Sequence, residues 1–241
     1  MGASLLIARR ELAGYLRTMS GWVIIAGVLA VTGLLFNAFV MGGASKRSAE
    51  VIAQFFYVCS GMVMFASVLL SMRLLAEERQ TGTLALLYSS PVRDVEIVLG
   101  KFLSALAFLS ILIGLTVFMP LLVMVNGKVS FGHLAAGYLG LLLLGSATLA
   151  LGTFGSALAK NQVVGAIIGG CLVVTLLVSW YLSQVTDRPF SDVFMSLALY
   201  GKHFPPFQQG VIHLRGVVYY LLVTFVGLFA ATRVLEGRRW R

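Results

Sequence analysis

Charge is what this sequence has least of. Only 11% of its 241 residues are Asp, Glu, Lys or Arg, against about a quarter in soluble domains, and mean hydropathy is +0.95. A chain so composed cannot clothe a core in solvated side chains, which excludes an ordinary soluble enzyme. Cysteine is nearly absent: Cys59 and Cys171 both fall in apolar runs, so they neither demand a disulfide nor supply a metal site. The three histidines, His133, His203 and His213, form no His-Glu-x-x-His pattern, and no catalytic or metal-ligating residue is assigned. No phosphate-binding loop is present, since Gly100-Lys101 and Gly127-Lys128 lack the preceding glycine loop and a following Ser or Thr. No cofactor is therefore expected in this chain, and any ATP it depends on must be bound by another. Proton-coupled carriers place ionisable groups inside their spans, and these apolar runs have no Asp, Glu, Lys or Arg to offer.

What the chain does have is long apolar runs. Charge-free stretches cover 18–45, 51–72, 102–127, 129–159, 161–186 and 216–232, each reaching the roughly 17 residues that a helix needs to cross a bilayer. The expected fold is an all-α polytopic membrane protein, one domain over 1–241, with spans at about 20–42, 51–73, 99–125, 132–158, 163–183 and 214–234. Pro120 should kink the third span. Residues 4–17 set Leu5, Ala8, Leu12, Tyr15 and Leu16 opposite Arg10 and Arg17, which reads as an interfacial helix, the alternative being a frayed leader to the first span. Because Arg9-Arg10-Glu11 precede the first hydrophobic segment, and that segment is long, no cleavable signal peptide is expected.

Basic residues set the orientation. With the N-terminus inside, Arg9, Arg10, Arg17, Arg73, Arg79, Arg93, Lys101, Lys160, Arg233, Arg238, Arg239 and Arg241 are cytoplasmic, against Lys46, Arg47, Lys128, Arg188, Lys202 and Arg215 outside. That imbalance places both termini in the cytoplasm. The bases sit beside apolar runs instead of forming one patch, so the net charge of +9 gives no reason to expect nucleic acid. On the outer side, residues 184–213 hold Asp187-Arg188-Pro189, an apolar patch from Val193 to Tyr200, and Pro205-Pro206. Such a segment either dips into the outer leaflet as short helices or lies on it.

Few polar groups interrupt the spans. Asn37 and Gln54 either line a substrate path or hydrogen-bond to neighbouring helices. Gly165, Gly169 and Gly170, with Gly152-x-x-x-Ser156, let helices approach closely, either within the chain or at a subunit interface.

The exception to all this apolarity is Ala76–Lys101, a polar island with Glu77, Glu78, Asp94 and Glu96. Glu77-Glu78-Arg79 would end a membrane helix; Thr81-Gly82-Thr83 offers a turn and a threonine cap; a short helix would follow through Leu84, Leu86, Leu87 and Tyr88 until Ser90-Pro91 stops it. Asp94 and Glu96 suit the N-terminus of the next helix. Apolar leucines with charged flanks are what a docking helix presents to a partner.

The wording AEERQTGTLALLYSSPVRDVEIVLGKF resembles the cytoplasmic coupling segment of ABC-2-type transporter permeases. Arg10-Glu11-Leu12, His203-Phe204 and Gly210-Val211-Ile212 resemble the gliding-motility-associated subfamily in particular. The resemblance implies a permease subunit in a bacterial cytoplasmic (inner) membrane, paired with itself or a sister permease, and served by two copies of an ATPase subunit that holds ATP and Mg. Export is the family's usual direction. Glu77, Glu78, Arg79, Thr81, Gly82, Thr83, Leu84, Leu86, Leu87, Ser90 and Pro91 would be the coupling residues. Asp187-Arg188 and Asp192 are either ordinary solvated charge or a contact for a periplasmic auxiliary protein. The alternative implied by the subfamily is a membrane anchor that relays ATPase motion to an envelope or motility machine without transport.

Overall fold

The computed structural model describes residues 2–41, 48–82, 93–126, 129–188 and 190–239, and among these it is helical with no strand. The helices are α1 (Ala3–Arg17), α2 (Met19–Leu35) continued by a π-helical turn (Phe36–Met41), α3 (Ser48–Leu74), α4 (Ala76–Gln80), α5 (Asp94–Leu115), α6 (Phe118–Asn126), α7 (Phe131–Leu158), α8 (Gln162–Val185), α9 (Phe190–Leu197), α10 (Pro205–Gln208) and α11 (Leu214–Arg239). Six helical stretches are long and apolar enough to cross a membrane: Gly21–Phe39, Ser48–Gln80, Asp94–Met124, Phe131–Leu158, Gln162–Val185 and Leu214–Arg238. The third is interrupted at Thr116-Val117, four and three residues before Pro120. The proline ring has no N–H for the carbonyl of residue 116 and clashes with it, so the break falls where the ring dictates.

At the centre stands α7, packed against α3, α5, α8 and α11. It runs parallel to α3: Phe56 meets Gly137, the Ser67 hydroxyl donates to Thr148 Oγ1 at 2.7 Å, and Ser71 lies on Gly152. It also runs parallel to α11, with Ser146 and Thr224 hydroxyls 3.2 Å apart, and antiparallel to α8, where Gly155 and Gly152 face Gly169. Small residues make these approaches possible. A Cβ at Gly152 would stand 1.9 Å from Ser71 Oγ, and one at Gly155 only 2.5 Å from the Gly169 nitrogen. In an apolar medium helices associate by close packing and inter-helix hydrogen bonds, and both occur along this one helix. Gly165 and Gly169 are thus packed within the chain, while Gly170 has only Val68 near it, at 3.9 Å.

α1 is a helix of its own, set off from α2 at Thr18, and it packs along α5. Ala8 is buried, Ile7 lies against Gly100, and the Tyr15 ring is 5.3 Å from that of Phe108. Leu5 and Leu6 are exposed, whereas Ile7 lies over Gly100, which leaves room for it.

The segment between α8 and α11 penetrates the bundle. Ala198, Leu199, Phe204 and Phe207 are fully buried. The Leu199 amide donates to the Leu176 carbonyl at 3.3 Å, and Phe207 packs on Gly140. Leu176 and Gly140 each lie about nine residues, or about 14 Å of helix rise, inside the ends of their helices. Aromatic side chains hold the segment there. The Tyr219 and Tyr220 hydroxyls donate to the Leu197 and Leu199 carbonyls at 2.7 and 2.8 Å, and the His203 ring stacks on Tyr219 at 3.8 Å. His203 Nε2–H donates to the Ser196 carbonyl at 3.3 Å, and His133 Nε2–H to the Gln208 carbonyl at 2.6 Å. Burial holds the His203 imidazole below its ordinary value, helped by Arg215 and Lys202 and opposed by the Ser196 carbonyl.

Candidate coupling site

The end of the bundle opposite that segment gathers the start of α1, the α3–α4 junction, the start of α5, the α7–α8 connection and the end of α11. Helix α3 does not run smoothly into the acids that follow it. Leu75 leaves helical geometry at φ −120°, ψ −34°, and α4 restarts at Ala76. A continuous helix would direct the Ala76 amide to the Met72 carbonyl. Instead, the Ser156 hydroxyl of α7 stands between them, accepting from the Ala76 amide at 3.0 Å and from the Leu75 amide at 3.1 Å, and donating to the Met72 carbonyl at 3.2 Å. One donor and two acceptor sites are all that a hydroxyl has, and this joint uses them all. Arg73 and Glu77 form a two-pronged ion pair across the break, at 3.0 and 3.2 Å.

Helix α4 is then clamped from two sides. On one, Glu78 Oε1 lies 2.8 Å from Lys101 Nζ of α5, which is also 3.6 Å from Glu11 of α1. The Lys101 side chain is 5% exposed, Glu78 14% and Glu11 27%, so this is a largely buried ionic triad joining three elements. On the other, Arg79 Nη1 donates to the Ala159 carbonyl at 2.8 Å, just beyond the last turn of α7, where a cation is favoured by the helix dipole. Arg238 of α11 donates to the adjacent Leu158 carbonyl at 2.9 Å. A polar cleft of about 310 Å³ opens between α1, α3, α4 and α5, lined by Glu11, Tyr15, Arg73, Glu77, Glu78 and Lys101. Burial pushes the Tyr15 phenol on its wall up to about 12, so it stays neutral.

Of the other expected coupling residues, Thr81 donates from its hydroxyl to the Glu77 carbonyl at 3.0 Å, and Gly82 ends α4 at φ +74°, a left-handed conformation that suits glycine. Thr83, Leu84, Leu86, Leu87, Ser90 and Pro91 lie outside the described residues, as do Lys46, Arg47, Lys128, Pro189 and Arg241. The next helix begins at Asp94, with Glu96 accepting from the Arg93 amide at 3.2 Å. Gln54 lines a cavity of about 560 Å³ between α2, α3 and α8, together with Phe39, Tyr57, Trp180 and Tyr200. Asn37 is exposed on the π-helical turn and is not part of that wall. Ser156 and Lys101, the two side chains from neighbouring helices that hold α4, are not among the coupling residues that the sequence assigns, although Lys101 closes the resembling stretch. A small-residue spacing marks Ser156 and a preceding glycine marks Lys101, but neither signal tells what the side chain grasps.

Six membrane-length helices, one of them central to the bundle, with a charged helical junction at the end where α1 starts and α11 finishes, define a polytopic α-helical membrane protein. A family model described as ABC-2 family transporter protein matches residues 5–192, and the chain belongs to that family. It is thereby the transmembrane component of an ABC transporter, whose ATPase activity resides in separate subunits. No curated protein matches the sequence.

Proposed function

We propose that the chain is a permease subunit whose segment Ala76–Lys101 receives the motion of an ATPase subunit and passes it to the spans. The observation that carries this reading is the clamping of α4: Glu78 to α5 and α1, Arg79 to the end of α7, and its first amides to Ser156. A solvated loop needs no such attachment, whereas a lever does. In the complex, ATP and Mg are held by two ATPase copies, and a second permease copy or sister permease completes the path. Closure of the ATPase pair pushes Thr83–Tyr88, and Glu77, Glu78 and Arg79 hold the pivot. Leu86 and Leu87 fill the ATPase cleft. The path runs past Gln54 and the cavity beside it.

The basic residues at this end support a cytoplasmic position for it and for both termini, in a bacterial inner membrane. Transport is then outward, with the buried segment 198–207 on the outer side. Replacing Leu86 and Leu87 with Asp is expected to abolish co-purification of the ATPase; undiminished recovery would refute the docking role.

A second reading, the anchor that relays force to an envelope or motility machine, draws on Glu11 and His203. Both belong to the wording shared with gliding-motility permeases, and both sit at structural junctions. ATP-dependent movement of a labelled lipid or glycan in vesicles bearing the complex decides for transport, and its absence for the anchor.

A further inference from the structure

The hydroxyl of Ser156 occupies the place of one rung of the α3–α4 ladder. Taken without it, Met72 and Ala76 are an ordinary i, i+4 carbonyl–amide pair, and Ser71 and Leu75 are another. The described Ser and Thr side chains elsewhere on α7 bond back to their own helix: Ser146 to the Leu143 carbonyl, Thr148 to Leu144 and Thr153 to Leu149. Ser156 makes no such bond, and all three of its hydrogen bonds cross to α3 and α4. A side chain inserted in the i→i−4 ladder is a recognised cause of helix interruption. Withdrawal of the hydroxyl leaves two amides and two carbonyls at i, i+4 positions along the chain, free to pair once Leu75 returns to helical geometry, while Ser156 can turn to the Gly152 carbonyl as serines in helices commonly do. The exchange conserves nearly all the hydrogen bonding, which is the condition for two states of similar energy.

We propose that Ser156 is a removable wedge that makes the joint at Leu75 a two-state element: bridged to α7 by the hydroxyl, or closed into one continuous α3–α4 helix and released from it. The inference rests on the reading of Ala76–Lys101 as the coupling segment and adds its receiver. Motion of α4 reaches α7, the helix on which α3, α5, α8 and α11 all pack, and does not stop at the two spans adjoining the segment. Arg79 at the Ala159 carbonyl is the second tether of the same lever to the same helix.

The test uses the full chain in lipid nanodiscs, with residue-resolved amide exchange at Leu75 and Ala76. A spin-label pair is placed at Gln80→Cys and Val163→Cys, in a background with Cys59→Ala and Cys171→Ser. In Ser156→Ala the joint closes. Both amides keep their protection within about threefold, because Ser71 and Met72 carbonyls replace the hydroxyl, and the mean label separation changes by about 2 Å, the scale of helix shifts in switching proteins. Ser156→Thr, which retains the hydroxyl, keeps the wild-type separation. In complex with its ATPase, the wild type shows both separations during ATP turnover and Ser156→Ala only one.

Loss of protection at both amides by tenfold or more in Ser156→Ala would mean a permanent break that the serine merely caps, and would overturn the proposal. So would an unchanged separation, or Ser156→Thr behaving as the alanine variant. Should the alanine variant not fold, exchange in Ser156→Cys, whose thiol keeps nearly the same volume but bonds weakly, decides between the wedge and the cap by the same thresholds. If the wild-type chain captures no ATPase, the coupling reading fails on its own, and the exchange and distances measured on the chain alone still decide the wedge.

Discussion

Lys101→Met should be the most damaging single substitution at the charged end of the bundle. The side chain is 5% exposed and holds Glu78 at 2.8 Å and Glu11 at 3.6 Å, so its removal takes the cation from two carboxylates at once. Deleting one partner of a buried pair costs about 3–5 kcal/mol. The lower end applies here, because the triad borders an open polar cleft and Glu11 is a quarter exposed. The expected loss is therefore about 3 kcal/mol, a shift of on the order of a hundredfold in the folding equilibrium. Glu78→Gln should cost less, about 1–2 kcal/mol, since Lys101 keeps Glu11. The double variant should cost well below the sum, with a coupling of about 1.5 kcal/mol or more, because removing both charges avoids stranding either one. The assay is SDS titration of the purified chain in mixed micelles, followed by tryptophan fluorescence. Lys101→Met within about 0.5 kcal/mol of wild type, or strict additivity in the double variant, would refute the view that this triad fastens α1, α4 and α5 together.

Gly155→Ala places a methyl 2.5 Å from the Gly169 backbone and should destabilise by about 1–3 kcal/mol in that assay, whereas Gly170→Ala, with its nearest neighbour at 3.9 Å, should stay within about 0.5 kcal/mol. His203 should make stability pH-dependent. Its imidazole is held below the ordinary 6.5, so the unfolded chain binds the proton first. Stability is full above about pH 6.5 and falls as the pH drops below it, by at most about 1.4 kcal/mol per unit. Thermal unfolding between pH 7.5 and 5 should show that slope in the wild type and lose it in His203→Gln, with His133→Gln as the control for the second histidine of the segment. Gln54→Trp should narrow the cavity beside α8 and leave folding intact while slowing any ATP-driven movement of substrate; full transport would exclude that cavity from the path.

The spans were legible because absence of charge over twenty residues is a signal that survives without any knowledge of neighbours. The same holds for the interruption of the third span, since a proline acts on its own helix. Partners across the bundle leave no such local trace. Nothing in the spacing of Glu11, Glu78 and Lys101 tells that three helices bring them together. Gly152-x-x-x-Ser156 announces close approach, but only the register between α3 and α7 delivers the hydroxyl to the joint at Leu75. Leu5 and Ile7 show the same limit: helical periodicity gave α1 an apolar side, and only the gap over Gly100 shows that Ile7 is the residue that packs there. The apolar patch Val193–Tyr200 was plain, yet its depth depends on Gly140 and on tyrosines of a helix that comes later in the chain.

That last dependence bears on how the protein is made. The stretch from Ala198 to Phe207 emerges from the ribosome before Tyr219 and Tyr220, whose hydroxyls cap the carbonyls of Leu197 and Leu199, and before Gly216, which Phe207 packs against. Until the sixth span has been inserted, the segment has only half of its cradle: the Leu197 and Leu199 carbonyls lack their tyrosine donors and Phe207 lacks the close approach of Gly216. Burial of the segment is therefore expected to wait for the final helix, which would draw the preceding loop inward as it closes the bundle. A nascent chain arrested short of Tyr219 would display that segment to proteases, and one extended through α11 would hide it.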